Sequence, residues 1–302
     1  MNIAETPVVK IDVGVPGVSV CAKLESRGPT SSIKDRTGRS MIETAETNGR
    51  LTPGGVIVEA SSGNTGIAVA ALGAERGYDV NIICSPKVTN EKIQILGLLG
   101  ATVHIFDSET DERGWTFVDF GADLADKLGG IFLNQYDNPA NPRIHELQTG
   151  PELLSQLDRL PDVFVAGAGT GGTISGIARA LRNAGAKTRV VLADPVGSIY
   201  AHAHATGELS EPVPYEVEAV GGAKPMLPPN LAFELIDEAI SIPDAESFAA
   251  ARSAAHQGVL VGPSSGLALA AAKRVALTLP TGSSIATILP DGAERYLSRG
   301  PR

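Results

Sequence analysis

Hydrophobic positions along the chain follow two alternating spacings. Short runs of β-branched and other apolar residues predict strands at 56–59, 80–83, 102–106, 131–133, 163–166, 190–193 and 285–289. Longer segments between them carry apolar residues at helical spacing, at 67–76, 91–99, 116–127, 146–156 and 174–183. Gly77 and Gly185 follow two of these segments, as glycines that end helices commonly do. The pattern predicts an α/β fold in which helices cover parallel sheets.

Composition and charge narrow the class of function. The 302 residues leave room for two modest domains, and the formal net charge of −9 disfavours binding to nucleic acid or to anionic membranes. The chain shows neither a secretory signal nor an apolar run of membrane-spanning length, and it has no cysteine–histidine cluster typical of a metal site. Cys21 and Cys84 lie in apolar segments, which predicts buried free thiols. We therefore expect a cytoplasmic enzyme that acts on small molecules.

A glycine-rich turn at 167–173 follows one predicted strand and opens the next helix. Its bare backbone N–H groups at a helix N-terminus suit a phosphate, although a close-packed turn without a ligand is an alternative. The turn also matches the dinucleotide-binding pattern GxGxxG, and Asp194 ends the following strand at a suitable distance. A nicotinamide-dependent dehydrogenase is therefore a second interpretation.

A second loop of similar design, Ser-Ser-Gly-Asn-Thr-Gly at 61–66, lies between a predicted strand and a helix. Its hydroxyls, carboxamide and amides suit a carboxylate better than a diphosphate, since no lysine accompanies them as in a nucleotide-binding P-loop. A lysine, Lys34, stands at the start of a helical stretch within Thr-Ser-Ser-Ile-Lys-Asp-Arg. Such a lysine alone is usually solvated, but with the two loops it completes what an amino-acid enzyme with a Schiff-base cofactor needs.

Six ordered motifs together resemble the cysteine synthase and cystathionine β-synthase family of fold type II pyridoxal-phosphate-dependent enzymes. They are SSIKDR, SSGNTG, NQYDNPANPRIH with TGPEL, GTGGT, VGPSSG and PDGAERYLS. The resemblance spans nearly the whole chain. It implies two doubly wound parallel-sheet domains with the cofactor between them, and a homodimer. The smaller domain would be 37–140, with a mobile part that closes over substrate, and the larger 1–36 plus 141–302.

The resemblance also implies a role for individual residues. Lys34 would carry pyridoxal 5′-phosphate and move the Cα proton, and Asn64 would bind the ring hydroxyl. Ser264 would face the pyridine nitrogen, with Ser265 the less favoured candidate; a serine there makes the ring a weaker electron sink and favours β-elimination. The groups for the substrate carboxylate would be Ser61, Ser62, Gly63, Thr65 and Gln135. The groups for the cofactor phosphate would be Gly169, Thr170, Gly171, Gly172 and Thr173.

The implied activity is β-replacement on an O-activated L-serine through an aminoacrylate. The leaving group could be acetate or phosphate, and the nucleophile sulfide, thiosulfate, ammonia or another amine, giving cysteine or a β-substituted alanine such as 2,3-diaminopropionate. Residues 220–229 stand where the family has its substrate-facing glycine stretch and contain a cation, Lys224. We expect Lys224 either to favour O-phospho-L-serine or simply to be solvated. An inactive scaffold is the non-enzymatic alternative, against which the intact Lys34, Asn64 and Ser264 weigh.

Overall fold

The structure is a computed structural model that describes residues 3–224 and 226–297. Within these ranges the chain divides into two compact units. The first unit comprises Ile3 and Lys34–Asn141. The second unit comprises Ala4–Ile33 and the described residues from 142 onward. Each unit has its own sheet and its own core.

Strands and helices alternate along the described ranges. The strands are β1 (Val8–Lys10), β2 (Ser19–Leu24), β3 (Val56–Ala60), β4 (Asp79–Cys84), β5 (Thr102–Ile105), β6 (Ile131–Phe132), β7 (Val163–Gly167), β8 (Arg189–Pro195), β9 (Glu238–Ile242) and β10 (Ser284–Leu289). The helices are α1 (Lys34–Thr47), α2 (Asn64–Arg76), α3 (Asn90–Leu98), α4 (Phe117–Leu128), α5 (Ala140–Ile144), α6 (Gly150–Ser155), α7 (Gly172–Asn183), α8 (Tyr200–Thr206), α9 (Asp244–His256) and α10 (Pro263–Ala276). A π-helical turn, His145–Thr149, joins α5 to α6.

The first unit is built on a parallel sheet with strand order β5-β4-β3-β6 in the described residues. Alternate residues of a strand point to opposite faces of the sheet. Ile57 and Ile82 therefore pack against α1, α2 and α3, whereas Val58 and Ile83 pack against α4. Both faces of the sheet are covered, as a parallel sheet requires.

The second unit is built on a larger sheet, with strand order β1-β2-β10-β7-β8-β9 among the described residues. Only β1 runs antiparallel to its neighbour; the remaining pairs are parallel. Phe164 and Leu192 share one core with α6 and α7, and Val165 and Val191 share another with α10. The predicted α/β fold with two largely parallel, helix-covered sheets is confirmed.

The predicted elements differ from the observed ones mainly at their ends. Each predicted strand is present, shifted by one or two residues at its ends, and the predicted helix at 146–156 is in fact a π turn followed by α6. Both cysteines are free as expected, but burial is confirmed only for Cys84, because Cys21 is half-buried. No described helix is both long and apolar enough to cross a membrane.

Candidate functional site

Lys34 is the first residue of α1 and is half-buried. The three residues that follow it, Asp35, Arg36 and Thr37, are buried and anchor the first turn of the helix. The positive charge of Lys34 acts on the buried carboxyl group of Glu59 and opposes the rise in its pKa. Lys34 thus lies at the start of a helix, where its charge acts on Glu59. Glu59 belongs to the strand that leads to the loop at 61–66.

The loop at 61–66 is a tight turn between β3 and α2. Gly63 precedes the helix, and its N–H lies 3.2 Å from the hydroxyl oxygen of Ser61. The hydroxyl oxygen of Ser62 accepts a hydrogen bond of 2.7 Å from the N–H of Ser85, which ties the loop to the end of β4. Asn64 and Thr65 begin α2, and the N-terminus of a helix directs backbone N–H groups and a partial positive charge outward, which suits an anion.

Gln135 lies against this loop although it is 70 positions away from Thr65 in the sequence. The hydroxyl of Thr65 donates to Gln135 Oε1 at 2.6 Å, and Gln135 Nε2 donates to the carbonyl of Ala60 at 3.2 Å. Both Thr65 and Gln135 are buried. The structure therefore brings together two of the groups that the sequence indicated for a carboxylate.

Glu59 is a residue of this region that the sequence motifs do not include. It lies in β3, directly before Ala60, and is fully buried. Burial raises the pKa of the Glu59 carboxyl group to about 8, against the opposing effect of backbone N–H donors and of Lys34. Its sequence signal is a single glutamate that interrupts an apolar strand immediately before a small-residue loop.

The glycine-rich turn at 167–173 connects β7 to α7. Gly171 has φ +82°, and a Cβ there would lie 2.5 Å from the Cα of Leu231. A Cβ on Gly169 would lie 2.8 Å from the carbonyl oxygen of Ala219. The carbonyl oxygens of Ala168 and Gly169 accept hydrogen bonds from Gly221 N–H and from the Tyr200 hydroxyl, at 2.7 and 2.8 Å. The turn thus presents side-chain-free backbone at the N-terminus of α7, which fits a phosphate group.

His145 supports this turn and is not a residue that the sequence singled out. The ring is fully buried, with Nδ1 2.9 Å from the hydroxyl of Thr149 and Nε2 3.3 Å from the hydroxyl of Thr173. The available signal is the motif NPRIH followed by TGPEL. Through the contact of His145 with Thr173, the π turn packs against the start of α7.

Ser264 and Ser265 lie in the first turn of α10 and are both buried. Among the described residues neither hydroxyl has a hydrogen-bond partner. Buried hydroxyl groups normally have a partner, so this turn fits a ligand that presents an acceptor such as a pyridine nitrogen.

Asp194 is the acidic residue that the dinucleotide-binding interpretation requires. It is fully buried, and its Oδ2 accepts a hydrogen bond of 2.8 Å from the N–H of Ala201 in α8. Burial raises the pKa of this carboxyl group to about 6. Its Oδ2 thus caps the start of α8, which is a structural role for this carboxyl group, whereas its Oδ1 has no hydrogen-bond partner among the described residues.

Lys224 follows the turn formed by Gly221 and Gly222 and is exposed. The N–H of Gly222 donates to the hydroxyl of Ser198 at 2.8 Å, which anchors the beginning of this segment. Pro225, which belongs to the segment singled out in the sequence, lies outside the described residues. The contribution of Lys224 to substrate choice remains a prediction.

Known proteins resemble this chain over most of its length. A family model described as pyridoxal-phosphate dependent enzyme matches residues 1–291. Cysteine synthase A of Salmonella typhi is 36% identical over 302 residues, covering 99% of this chain and 93% of that protein. Cystathionine beta-synthase of Apis mellifera is 40% identical over 308 residues, covering 98% of this chain and 60% of that protein. The solved structure of O-ureido-L-serine synthase has a TM-score of 0.89 and 33% identity, covering 98% of this chain and 92% of that one.

Proposed function

Because the chain belongs to the family of pyridoxal-phosphate-dependent enzymes, we propose that it replaces the β-substituent of an O-activated L-serine. Its cofactor is pyridoxal 5′-phosphate, and the resemblance indicated by the six motifs is confirmed. The similar proteins include cysteine synthases and an O-ureido-L-serine synthase, which favours β-replacement over a dehydrogenase reaction. The observation that carries the proposal is the contact of Gln135 with Thr65 in the loop at 61–66.

Two groups of residues would hold the cofactor. Its phosphate would be bound by Gly169, Thr170, Gly171, Gly172 and Thr173, because the glycines leave the backbone open at a helix start and the threonines add hydroxyl groups. Ser264 would bind the pyridine nitrogen, Asn64 the ring hydroxyl, and the amine of Lys34 the aldehyde carbon. When bound, pyridoxal phosphate withdraws electrons from the α-carbon of an attached amino acid.

The remaining residues would handle the substrate and its protons. Ser61, Ser62, Gly63, Thr65 and Gln135 would bind the substrate carboxylate. Lys34 would remove the proton from Cα before the β-substituent leaves and would return a proton to Cα after the nucleophile adds at Cβ. Departure of the first product before the nucleophile binds gives ping-pong kinetics.

The finer assignment is a cysteine synthase-like reaction on O-acetyl- or O-phospho-L-serine. The similarity to cysteine synthases over 99% of the chain supports sulfide as the nucleophile, and ammonia or another amine, which would give 2,3-diaminopropionate or a related product, is the second candidate. We further propose a homodimer that works in the cytoplasm. Both described cysteines are free thiols, which is consistent with a reducing compartment.

The test is to mix the purified holoenzyme separately with O-acetyl-L-serine and O-phospho-L-serine while recording the visible spectrum of the cofactor. We expect one of them to change the spectrum, and a panel of sulfide, thiosulfate and ammonia then to restore it with release of an identifiable amino acid. A colourless protein that gains no absorbance from added pyridoxal phosphate, but binds NADH, would support a dehydrogenase instead.

A further inference from the structure

Glu59 is a buried carboxyl group for which the proposed reaction supplies no role. Its side chain is fully buried, and its Oε1 lies 3.5 Å from the backbone N–H of Gln135. The backbone N–H groups of Asn134 and Ala60 lie close enough to lower the pKa of this carboxyl group, whereas its Oε2 has no hydrogen-bond partner among the described residues. Placing a carboxyl group in the interior costs free energy unless such donors satisfy it.

The backbone that these N–H groups belong to has an unusual shape. Asn134 has φ +52°, in the left-handed region that residues other than glycine seldom adopt. Its carbonyl oxygen accepts hydrogen bonds from the N–H groups of Asp137 and Asn138 at 3.2 and 3.0 Å. Asparagine adopts this region more readily than most other residues, and the contact of Glu59 Oε1 with the next N–H, that of Gln135, meets this main chain from inside the core.

Gln135 is consequently fixed at three places. Its N–H faces Glu59, its carbonyl oxygen accepts from Asn141 Nδ2 at 2.8 Å, and its carboxamide contacts Thr65 and Ala60. The carboxamide therefore has a defined direction only while the main chain at 134–135 keeps its shape.

We propose that Glu59 is a positioning residue for Gln135. Its carboxyl group accepts from the main chain at 134–135 and thereby directs the Gln135 carboxamide to the substrate carboxylate. The inference rests on the proposed function. Glu59 does not need to touch the substrate or the cofactor for this role. A carboxyl oxygen accepts hydrogen bonds whether the group is ionised or protonated, and the amide oxygen of glutamine also accepts them.

Three substitutions of Glu59 distinguish the loss of its hydrogen-bond acceptor from the loss of its ionisable carboxyl group. E59Q keeps an acceptor oxygen of the same reach, E59D keeps the carboxyl group but withdraws it by one methylene, and E59L removes the acceptor while keeping the volume. We expect E59L and E59D to raise the KM for the amino-acid substrate about 10- to 100-fold with little change in kcat, because a misdirected carboxamide weakens carboxylate binding throughout the reaction. We expect E59Q to retain a KM close to that of the wild type.

A matched control comes from the second unit. Glu25 is also buried and accepts a hydrogen bond of 2.7 Å from the hydroxyl of Thr6. E25L removes a buried acceptor in the same way, so it should lower stability without a selective rise in KM. An equal rise in KM for E25L and E59L, or an unchanged KM in both E59L and E59D, would overturn the proposal.

A second measurement is independent of turnover. In holoenzyme labelled with 15N-glutamine, the Gln135 carboxamide signals are those missing from the spectrum of Q135E. We expect these signals to shift or broaden in E59L and E59D and to stay in place in E59Q and E25L. Unmoved signals in folded E59L and E59D would overturn the role of Glu59 even if the enzyme is a synthase. If the wild type turns over neither activated serine, the proposed function is wrong. The spectra of the Glu59 variants then still decide whether Glu59 positions the Gln135 carboxamide.

Discussion

Lys34 begins α1 and is half-buried, so it is not enclosed in the core of its unit. Borohydride reduction of the holoenzyme should therefore fix the cofactor irreversibly to the peptide that contains Lys34, because reduction of an imine gives a stable amine. Mass spectrometry of the digest checks this. Lys34→Ala should lose the stable adduct, whereas Lys127→Ala, a surface residue paired with Asp123, should keep it. An adduct on another lysine would contradict the assignment.

Substitution of Gly171 should weaken cofactor binding, whereas substitution of Asn64 should slow turnover. Gly171→Val places a side chain against Leu231 at a positive φ, so we expect cofactor affinity to fall at least about tenfold. Asn64→Ala should retain the cofactor and slow turnover, because Asn64 would contact the cofactor ring. Cofactor titration and the turnover of the loaded fraction separate the two effects.

Gly185→Ala is the matched control for Gly171→Val. Gly185 also has a positive φ, +71°, but a Cβ there would meet no atom within 4 Å. It should cost some stability through backbone strain and leave cofactor affinity unchanged. Equal loss of cofactor in the Gly171 and Asn64 variants would refute the division of roles.

Glu59 should also make stability depend on pH. Burial raises the pKa of this carboxyl group from 4.5 to about 8, so between these pH values the folded state holds a proton that the unfolded state has released. The associated stability is fully present below pH 4.5 and is lost as pH rises through 8. Relative to E59Q, the wild-type free energy of unfolding should fall with pH by at most about 1.4 kcal/mol per unit. Urea unfolding at several pH values measures this, and parallel curves for the two proteins would contradict it.

Strands are easiest to predict from the sequence where most residues of a short segment are apolar and buried. The sequence predicts five inner strands that are rich in apolar residues, β3, β4, β7, β8 and β10, but not β2, which also lies inside its sheet. β1 and β9 are edge strands with a partly exposed burial pattern, so they carry little hydrophobic signal. The π turn depends on packing against α7, which a local pattern cannot show.

Gly176 is the position where α7 and the π turn approach each other. A Cβ at this position would collide with the carbonyl oxygen of Pro142 and lie 2.6 Å from the Cβ of His145. Gly176→Val should therefore destabilise the protein by about 1–3 kcal/mol and weaken cofactor binding, since it displaces His145 from Thr173. Thermal unfolding with and without cofactor measures both effects. Gly97→Ala, in a helix with open space around it, should be neutral or slightly stabilising; similar losses in both variants would refute the packing argument.

The ordered motifs of the whole chain are enough to indicate the family, the cofactor and most of the candidate site. Glu59 lies outside these motifs and His145 ends one of them, but the motifs do not reveal the role of either, because their hydrogen bonds reach residues 76 and 28 positions away, namely Gln135 and Thr173. A single buried glutamate or histidine has no local pattern that separates it from a structural residue. Their roles follow only from tertiary contacts.

Net charge and a local cation act in opposite directions on an anionic substrate. The formal net charge of −9 opposes a phosphorylated serine, whereas the exposed Lys224 would attract its phosphate. Lys224→Met should lower kcat/KM for O-phospho-L-serine about 10- to 100-fold and spare O-acetyl-L-serine, as expected for loss of one charge-assisted hydrogen bond. Lys187→Met, another exposed lysine, is the control. Equal losses for both substrates, or a wild type that prefers O-acetyl-L-serine, would remove this role.

The pairing of β2 with β10 has a consequence for protein synthesis. β2 is synthesised before its parallel partner β10, with which it is registered from Ser284↔Ser19 to Leu289↔Leu24, and residues 25–283 lie between them. The contiguous segment 34–141 can complete its sheet during translation, whereas β2 must wait with an unpaired edge for more than half of the chain. Closing so long a loop is slow, so nascent chains stalled before residue 284 should expose this edge to chaperones or to aggregation.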